Sequence, residues 1–154
     1  MKYTPDTDGV NHINIYSKGK TELGRLLTNF AHTPFTFPPY GEFASVEAFW
    51  YYAKTGFILS QLKHLHGFKA KEEGKKYPII HHPQFEELIL EAIRCKLRQN
   101  KYLRELLTNS HHMPLTHYYA YGTPSDWKVI PQTKYDWQIE EISRIRSVCQ
   151  EYYL

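Results

Sequence analysis

The sequence predicts an α+β fold, predominantly helical with a few short strands, in a single domain that spans residues 1–154. Three observations lead to this prediction. Apolar residues recur at helical spacing in several segments, short β-prone runs lie between them, and turns rich in Pro and Gly separate the two kinds of segment. A chain of 154 residues can also bury a sizeable core without disulfides. Short strands among several helices are typical of α+β domains.

The first elements expected are two short strands. Residues 10–17 alternate in polarity and contain β-branched side chains, which favours a strand. Residues 35–37 form a second β-prone run, ended by a Pro-Pro-Tyr-Gly turn. Between the two strands, residues 21–29 fit either one helical turn or a loop.

The middle of the chain predicts two amphipathic helices on either side of a loop. The first helix starts at Ser45, a residue type that caps helix N-termini, and runs to about Gly56, while residues 57–66 fit a further short helix. Residues 67–77 are rich in Lys, Glu and Gly without an apolar period, which predicts a solvated loop. The second helix starts near Pro83, and its apolar face consists of Phe85, Leu88, Ile89, Ala92 and Ile93.

The last third of the chain predicts two more helices and a long loop. The helix from Pro83 ends near Gln99, and Asn100 caps the next one. Residues 110–131 predict an irregular stretch, whose tyrosines argue against disorder. A capping-box-like sequence at residues 133–136 opens a final helix. Its predicted apolar face consists of Ile142, Ile145, Cys149 and Tyr152.

Composition narrows the classes of function. The formal net charge is +3 and the pI is near 8.7, an excess that suits a phosphate-bearing ligand but is too small for a nucleic-acid footprint. Aromatic residues make up 16% of the chain, more than a core of this size requires. We therefore expect some rings to line a pocket, where stacking on bases is one use for them.

Other sequence features point to a protein without membrane, metal or cofactor. The N-terminus has no signal-peptide stretch and no apolar run is as long as a membrane span, so we expect a cytoplasmic protein. Cys95 and Cys149 lie in helical patterns and are expected to be reduced core residues. The nine histidines lack metal-ligand spacing, and there is no Gly-rich phosphate loop, so we expect neither a metal nor a cofactor.

The helix that starts at Ser45 carries the most informative pattern. Glu47, Tyr51 and Lys54 fall together on the flank of its apolar stripe. Glu47 would lie in the first turn, where the helix dipole favours the ionised form. Two interpretations stay open: a surface acid that compensates the dipole, or a carboxylate beside a site that grips a flat ring. The stripe consists of Val46, Phe49, Trp50, Ala53 and Phe57.

Lys96 interrupts the apolar face of the helix that follows Pro83. An ammonium group at such a position must pair, extend its head to solvent or lower its pKa. Either the side chain snorkels at the helix end, or its amine reaches into the pocket that Glu47 flanks.

Four sequence blocks resemble the NADAR family. The family pattern has a strand ending in Tyr-Ser, a Ser-Asn-Phe, a Ser-Glu-His-Tyr-x-Gln-Ala-x-Lys helix and an Ala-Leu-Arg-x-Lys-Phe helix. The blocks follow the family's order from Ile13 onward, and that joint order is more specific than any single block. They are Ile13-Asn14-Ile15-Tyr16-Ser17, Thr28-Asn29-Phe30, Phe43-Ala44-Ser45-Val46-Glu47-Ala48-Phe49-Trp50-Tyr51-Tyr52-Ala53-Lys54 and Glu91-Ala92-Ile93-Arg94-Cys95-Lys96-Leu97-Arg98-Gln99-Asn100.

The resemblance implies an N-glycosidase that acts on a ribosyl-linked base. Activities in the family cleave early ribosyl intermediates of the riboflavin pathway or remove ADP-ribose from guanine in nucleic acids. By this resemblance Glu47 matches the motif glutamate, Asn29 the motif asparagine, and Lys54 and Lys96 the two motif lysines. We expect a divergent, phage-type member, which would act in the host cytoplasm. The chain departs from the helix motif at Val46, Ala48 and Ala53.

A later family motif, Asp-x-x-Trp-Gly, is matched poorly. The chain offers Ala120-Tyr121-Gly122, with Tyr in place of Trp, or Asp126-Trp127 without a spacer. If the family's aspartate is missing, catalysis would be in doubt while ligand binding could survive. The alternative function is therefore an inactive module that binds an ADP-ribose-like nucleotide or modified nucleic acid.

Elementary chemistry agrees with such a reaction. Breaking an N-glycosidic bond builds an oxocarbenium-like ribosyl centre and negative charge on the leaving base. Glu47 could activate water or stabilise the cation, with Trp50 or Trp127 against a ring. Alternatively, Lys54 or Lys96 could attack an opened ribose and form a Schiff base. Lys54 is slightly preferred because it lies two turns from Glu47 on the same side of the helix.

The sequence thus predicts one site and one class of partner. The expected partner is a ribosylated base or ADP-ribosyl nucleotide, free or in modified DNA or RNA. The candidate catalytic residues are Glu47, Lys54, Lys96 and Asp126. The candidate substrate-binding residues are Asn29, Phe30, Trp50, Tyr51, Tyr121 and Trp127.

Overall fold

A computed structural model describes residues 3–153, without the side chain of Tyr153. The elements in chain order are β1 (Ile13–Asn14), α1 (Glu22–Leu26), β2 (Phe35–Phe37), β3 (Gly41–Phe43), α2 (Val46–Lys54), α3 (Gly67–Gly74), α4 (Phe85–Gln99), α5 (Lys101–Thr108), β4 (Leu115–Thr116), β5 (Tyr118–Tyr121), β6 (Lys128–Pro131) and α6 (Asp136–Tyr153). This mixture of helices and short strands confirms the predicted α+β class. Within the described residues, none of the helices is long and apolar enough to cross a membrane.

The chain divides into two compact units. The central unit consists of residues 29–101, and the terminal unit consists of the described residues 3–28 and 102–153. The expectation of one domain over residues 1–154 stays a prediction.

The central unit contains one hairpin and three helices. β2 and β3 pair antiparallel, with Phe35 opposite Phe43. Helix α2 packs against both α3 and α4, and Phe49 and Ile89 are fully buried among these elements. Gln99, the last residue of α4, brackets the backbone of Thr36 in β2, donating to its carbonyl oxygen at 2.8 Å and accepting from its N–H at 2.7 Å. These contacts fix α2 at the middle of the unit.

The terminal unit is organised around a buried polar group. β1 pairs parallel with β4, and β5 pairs antiparallel with β6. The side-chain amide of Asn14 bonds both the N–H and the carbonyl oxygen of Tyr118, each at 3.0 Å. His12 Nε2 lies 2.7 Å from the Tyr118 hydroxyl oxygen. Because a buried polar group is costly without partners, these bonds hold β1 and β5 in one arrangement.

Several predicted elements are confirmed. Ser45 caps α2, since its hydroxyl oxygen accepts from the Ala48 N–H at 3.0 Å. The short strand at residues 35–37 is present. Helix α4 ends at Gln99, as expected, and Asn100 separates it from α5.

The prediction of a solvated loop at residues 67–77 is wrong, because this segment contains α3. The buried residues of α3 are Ala70 and Gly74, which lie four positions apart on one face. A Cβ atom added to Gly74 would lie 2.1 Å from the Tyr51 ring, so the glycine lets α3 approach α2 closely. Small residues such as Ala70 and Gly74 give no apolar period in a sequence, so the pattern does not predict α3.

The prediction of an irregular stretch at residues 110–131 is also wrong. This stretch holds β4 and the hairpin β5–β6, whose strands have only two to four residues each. The predicted strand at residues 10–17 is shorter than expected, because β1 pairs only with the two residues of β4.

Three further expectations about helices need correction. Residues 57–66 form only a 3-10 turn at Ser60–Leu62. The final helix α6 begins at Asp136, after a 3-10 turn at Thr133–Tyr135. Tyr152, predicted on its apolar face, is 73% exposed because it lies in the last turn, beyond the buried Cys149.

Candidate functional site

The candidate site is built around Glu47 in the first turn of α2. The Glu47 N–H donates to the carbonyl oxygen of Asn29 at 2.9 Å, which ties the Asn29–Phe30 segment to the helix start. The structure therefore brings together two residues that the resemblance assigns to separate family motifs. Both belong to the central unit.

Glu47 has an unusual acidity. Its side chain keeps some contact with solvent, but protein surrounds most of the carboxyl group. This desolvation raises the pKa of Glu47 to about 7, against the opposing effect of the positive charges on Lys71, Lys54 and Lys75. At neutral pH the carboxyl group is thus close to half protonated, a state suited to proton transfer.

Two of the three lysines around Glu47 come from the segment predicted to be a loop. Lys71 lies in α3 and Lys75 directly after it. Their placement depends on the close approach of α3 to α2 at Gly74 and Tyr51. The third, Lys54, lies on α2 itself, as the helical spacing predicted. The spacing of Ala70 and Gly74, four residues apart, is a weak sequence sign of this helix, because small residues give no apolar period.

Trp50 and Lys54 form a contact at the other end of α2. The Lys54 ammonium nitrogen lies 5.7 Å from the centroid of the Trp50 ring, within the range of a cation–π interaction. The Trp50 ring also meets Phe85 of α4 edge to face, with centroids 4.9 Å apart. Trp50 is half-buried, so part of its surface remains accessible. Tyr51, in contrast, is buried against α3.

Four rings form a surface beside the Asn29–Phe30 segment. Phe30 meets Phe68 edge to face at 5.0 Å between centroids, and His32 stacks on His66 at 4.5 Å. The N–H of Gly67 donates to the carbonyl oxygen of Phe30 at 2.9 Å, which fixes the two chain segments against each other. Phe68 is 62% exposed, and both histidines are exposed. Of these four rings only Phe30 was predicted as a site residue.

Lys96 is buried in α4, with only 2% of its surface exposed. This burial is inconsistent with snorkelling, the first of the two interpretations of its position. Desolvation lowers the pKa of Lys96 to about 7, so a large part of its amine is neutral at neutral pH. Lys96 is not among the lysines whose charges act on the Glu47 carboxyl group. That the Lys96 amine reaches the pocket beside Glu47 therefore stays a prediction.

The remaining predicted residues lie in the terminal unit. Tyr121 is the last residue of β5 and is 52% exposed. Asp126 is exposed in the β5–β6 turn. Trp127 donates from its indole N–H to the Asp6 carboxylate at 3.1 Å.

The arrangement in the central unit suits acid/base chemistry on an anionic ligand with a flat ring. A carboxyl group with a pKa of about 7 can move a proton, the lysines can hold negative charge, and the rings can stack. Among residues 3–153, no group of three or more His, Cys, Asp or Glu side chains could hold a metal ion.

Comparison with known proteins shows the fold alone. No model of a known protein family matches the sequence, and no curated protein matches it significantly. The structure is similar to the NMR structure of the E. coli protein YbiA, with a TM-score of 0.66. The similarity covers 99% of this chain and 98% of YbiA at 16% sequence identity. YbiA is a NADAR family member, so the NADAR-like fold implied by the sequence blocks is confirmed.

Proposed function

We propose that this protein is an N-glycosidase of the NADAR type. It would hydrolyse the bond between a ribosyl group and a base, in ADP-ribosylated guanine of nucleic acid or in a related nucleotide metabolite. The observation that carries this proposal is the Glu47 carboxyl group, because a pKa of about 7 matches the requirement for a catalyst that works near neutral pH. The sequence blocks around Asn29 and Glu47 and the fold shared with YbiA support it.

The proposed step at Glu47 is the activation of water. The ionised carboxyl group takes a proton from water while the hydroxyl oxygen bonds to the anomeric carbon and the base leaves. The proton held by Glu47 then neutralises the departing base. A group with a pKa of about 7 can accept this proton and release it again.

The surrounding residues have supporting roles in this proposal. Lys54, Lys71 and Lys75 would hold the negative charge of phosphate groups on the substrate. Trp50 or the Phe30–Phe68 pair would stack on the base. Asn29, tied to Glu47 through its backbone, would position the sugar.

The first test is release of ADP-ribose from a guanine-ADP-ribosylated oligonucleotide, measured by chromatography, beside a panel of ribosyl–base metabolites. We expect the Glu47→Gln protein to keep its fold and to hydrolyse the substrate about 10² to 10⁴ times more slowly, since general acid–base catalysis contributes a factor of this size. Glu72→Gln is the matched control, because Glu72 is an exposed acid on the neighbouring helix α3. Equal activity of Glu47→Gln and Glu72→Gln would contradict the proposed role of Glu47.

A second candidate function is a catalytically silent module that binds an ADP-ribose-like nucleotide or modified nucleic acid. The exposed position of Asp126 in the β5–β6 turn favours this candidate over the first if the family's aspartate is required. The same assay separates the two, because a binding module retains the oligonucleotide and releases no ADP-ribose.

A further inference from the structure

Positive charge is concentrated in one short segment of the central unit. Residues 63–76 contain five lysines and two glutamates, a net charge of +3 that equals the formal net charge of the whole chain. Lys63 is turned inward, with its ammonium nitrogen 4.8 Å from the centroid of the Tyr52 ring. Lys76 is paired with Glu73 at 2.8 Å. The remaining charged side chains are Lys69, Lys71, Lys75 and Glu72, so the mild overall charge conceals a locally basic segment.

The remaining lysines are not distributed evenly around α3. Phe68, Lys71 and Lys75 are separated by three and four residues and so share one flank of the helix. This is the flank directed at Glu47, since the charges of Lys71 and Lys75 act on its carboxyl group. Lys69 lies on the opposite flank and is exposed.

The same flank continues into exposed rings. Phe68 packs on Phe30, and the His32–His66 stack follows directly on the same two chain segments. A backbone hydrogen bond between Gly67 and Phe30 holds the segments together. Exposed flat rings beside Lys71 and Lys75 are features that suit a single-stranded nucleic acid, because bases can stack on the rings while the lysines hold backbone phosphates.

We propose that this flank of α3 binds a single-stranded nucleic acid and presents one of its nucleotides to Glu47. The identity of the reacting bond rests on the proposed function. What is added here is that the substrate is a nucleic-acid strand rather than a free nucleotide. An acidic peptide would use the lysines but not the exposed rings of Phe68, His32 and His66. The residues that form the surface, termed the α3 surface, are Phe30, His32, His66, Phe68, Lys71 and Lys75.

The test is fluorescence anisotropy with a short, labelled, unmodified oligothymidine and the full chain carrying Glu47→Gln. Two lysine–phosphate contacts predict that the logarithm of the binding constant falls with the logarithm of salt concentration with a slope of about −1.4 or steeper. Lys71→Gln in this background should make the slope shallower by about 0.7, because one contact is lost. Lys69→Gln, on the opposite flank of the same helix, should leave the slope unchanged.

Stacking is tested at Phe68. Phe68→Ala should weaken oligothymidine binding roughly 5- to 150-fold, the range for loss of one base–aromatic stack, whereas Phe68→Trp should retain it. Circular dichroism of each variant confirms that α3 remains folded. Equal binding by the Phe68→Ala and Phe68→Trp proteins would overturn the proposal.

The outcomes distinguish this inference from the proposed function. Absence of oligothymidine binding together with hydrolysis of a free ribosyl–base metabolite would overturn the α3 surface and leave the N-glycosidase standing. Binding that depends on Phe68 and Lys71, without hydrolysis of any ribosyl–base substrate, would support the surface and contradict the N-glycosidase. Binding with equal sensitivity to Lys69→Gln and Lys71→Gln would indicate diffuse attraction to the whole helix and overturn the specific surface.

Discussion

At Glu47 two opposing effects act on one carboxyl group. The dipole of α2 and the charges of Lys71, Lys54 and Lys75 favour the ionised form, yet desolvation outweighs the lysines and raises the pKa to about 7. A surface acid that only compensates a helix dipole would not experience this desolvation. The structure therefore favours the second interpretation of Glu47, a carboxyl group set beside a site.

The pKa of Glu47 predicts a pH profile. If the ionised form activates water, log(kcat/KM) should rise with a slope of about one up to pH 7 and level off above it, because ionisation is complete there. Bound phosphate would neutralise the nearby lysines and raise the pKa further, so the midpoint of the kcat profile should lie at higher pH. Steady-state kinetics from pH 5 to 9 measures both profiles.

Lys96 provides the control for this profile, because its pKa is also about 7. If Glu47 is the titrating group, the midpoint of the pH profile should be the same in the Lys96→Met variant. Met suits this buried position because it fills a similar volume in an apolar setting. A flat profile in Lys96→Met would instead assign the titration to the amine.

The two motif lysines differ in a way that the sequence does not reveal. The Lys54 ammonium group lies over the Trp50 ring and contributes positive charge at Glu47, which suits a cation that binds phosphate. Lys96 is buried and its lowered pKa provides the neutral amine that nucleophilic attack requires. The slight preference for Lys54 as the attacking amine, which follows from its alignment with Glu47, stays a prediction.

Borohydride trapping tests a covalent route. Attack by an amine on the anomeric carbon expels the base and gives an imine with the opened ribose, which borohydride reduces to a stable secondary amine. We expect turnover without a trapped adduct on either lysine, because the proposed step is water attack assisted by Glu47. A mass increment on the peptide that contains Lys54 or on the one that contains Lys96 would contradict that step and identify the attacking amine.

At the scale of elements, the placement of α3 decides the electrostatics of the site. Gly74→Ala would put a methyl group 2.1 Å from the Tyr51 ring, so α3 must move away from α2. We expect a loss of about 1–3 kcal/mol in the free energy of unfolding, the usual range for overpacking. Because Lys71 and Lys75 would move with α3, their lowering effect on the Glu47 pKa should weaken, and the midpoint of the activity profile should shift.

The control for Gly74→Ala is Glu72→Ala, an exposed position on the same helix where Ala is a good helix former. Chemical denaturation and the pH profile are measured for both. The double substitution Gly74→Ala with Tyr51→Ala should recover part of the Gly74→Ala loss, since it removes the clashing ring. Additive losses in the double variant would show that Gly74 and Tyr51 are not coupled.

The contrast between α2 and α3 explains how much of the site the sequence could predict. Helix α2 combines a Ser45 cap with large apolar residues at helical spacing, so its limits and the position of Glu47 follow from the sequence. Helix α3 buries only Ala70 and Gly74, and its charged residues dominate the pattern. Lys71, Lys75 and Phe68 were missed for this reason.

At the scale of the whole molecule, the candidate residues are divided between the two units. The central unit holds Glu47, its lysines and the ring surface, whereas Tyr121, Asp126 and Trp127 belong to the terminal unit. A sequence motif gives the order of residues along the chain but does not predict which compact unit each residue belongs to. The proposed chemistry therefore rests on the central unit.

The three tryptophans allow a test of whether the chain unfolds as one domain. Trp50 lies in the central unit, and Trp127 and Trp137 lie in the terminal unit. Trp50→Phe leaves fluorescence from the terminal unit, and the double substitution Trp127→Phe with Trp137→Phe leaves fluorescence from the central unit. Each unit holds about half of the 154 residues, a size at which a single core is only marginally stable.

We expect both variants to unfold in urea with coincident midpoints by fluorescence and circular dichroism. The chain passes between the units at residues 28–29 and 101–102, and the second passage falls at the start of α5. Coincident transitions are the mark of one cooperative unit. Two separated midpoints, with Trp50 reporting one and the terminal pair the other, would replace the single domain with two.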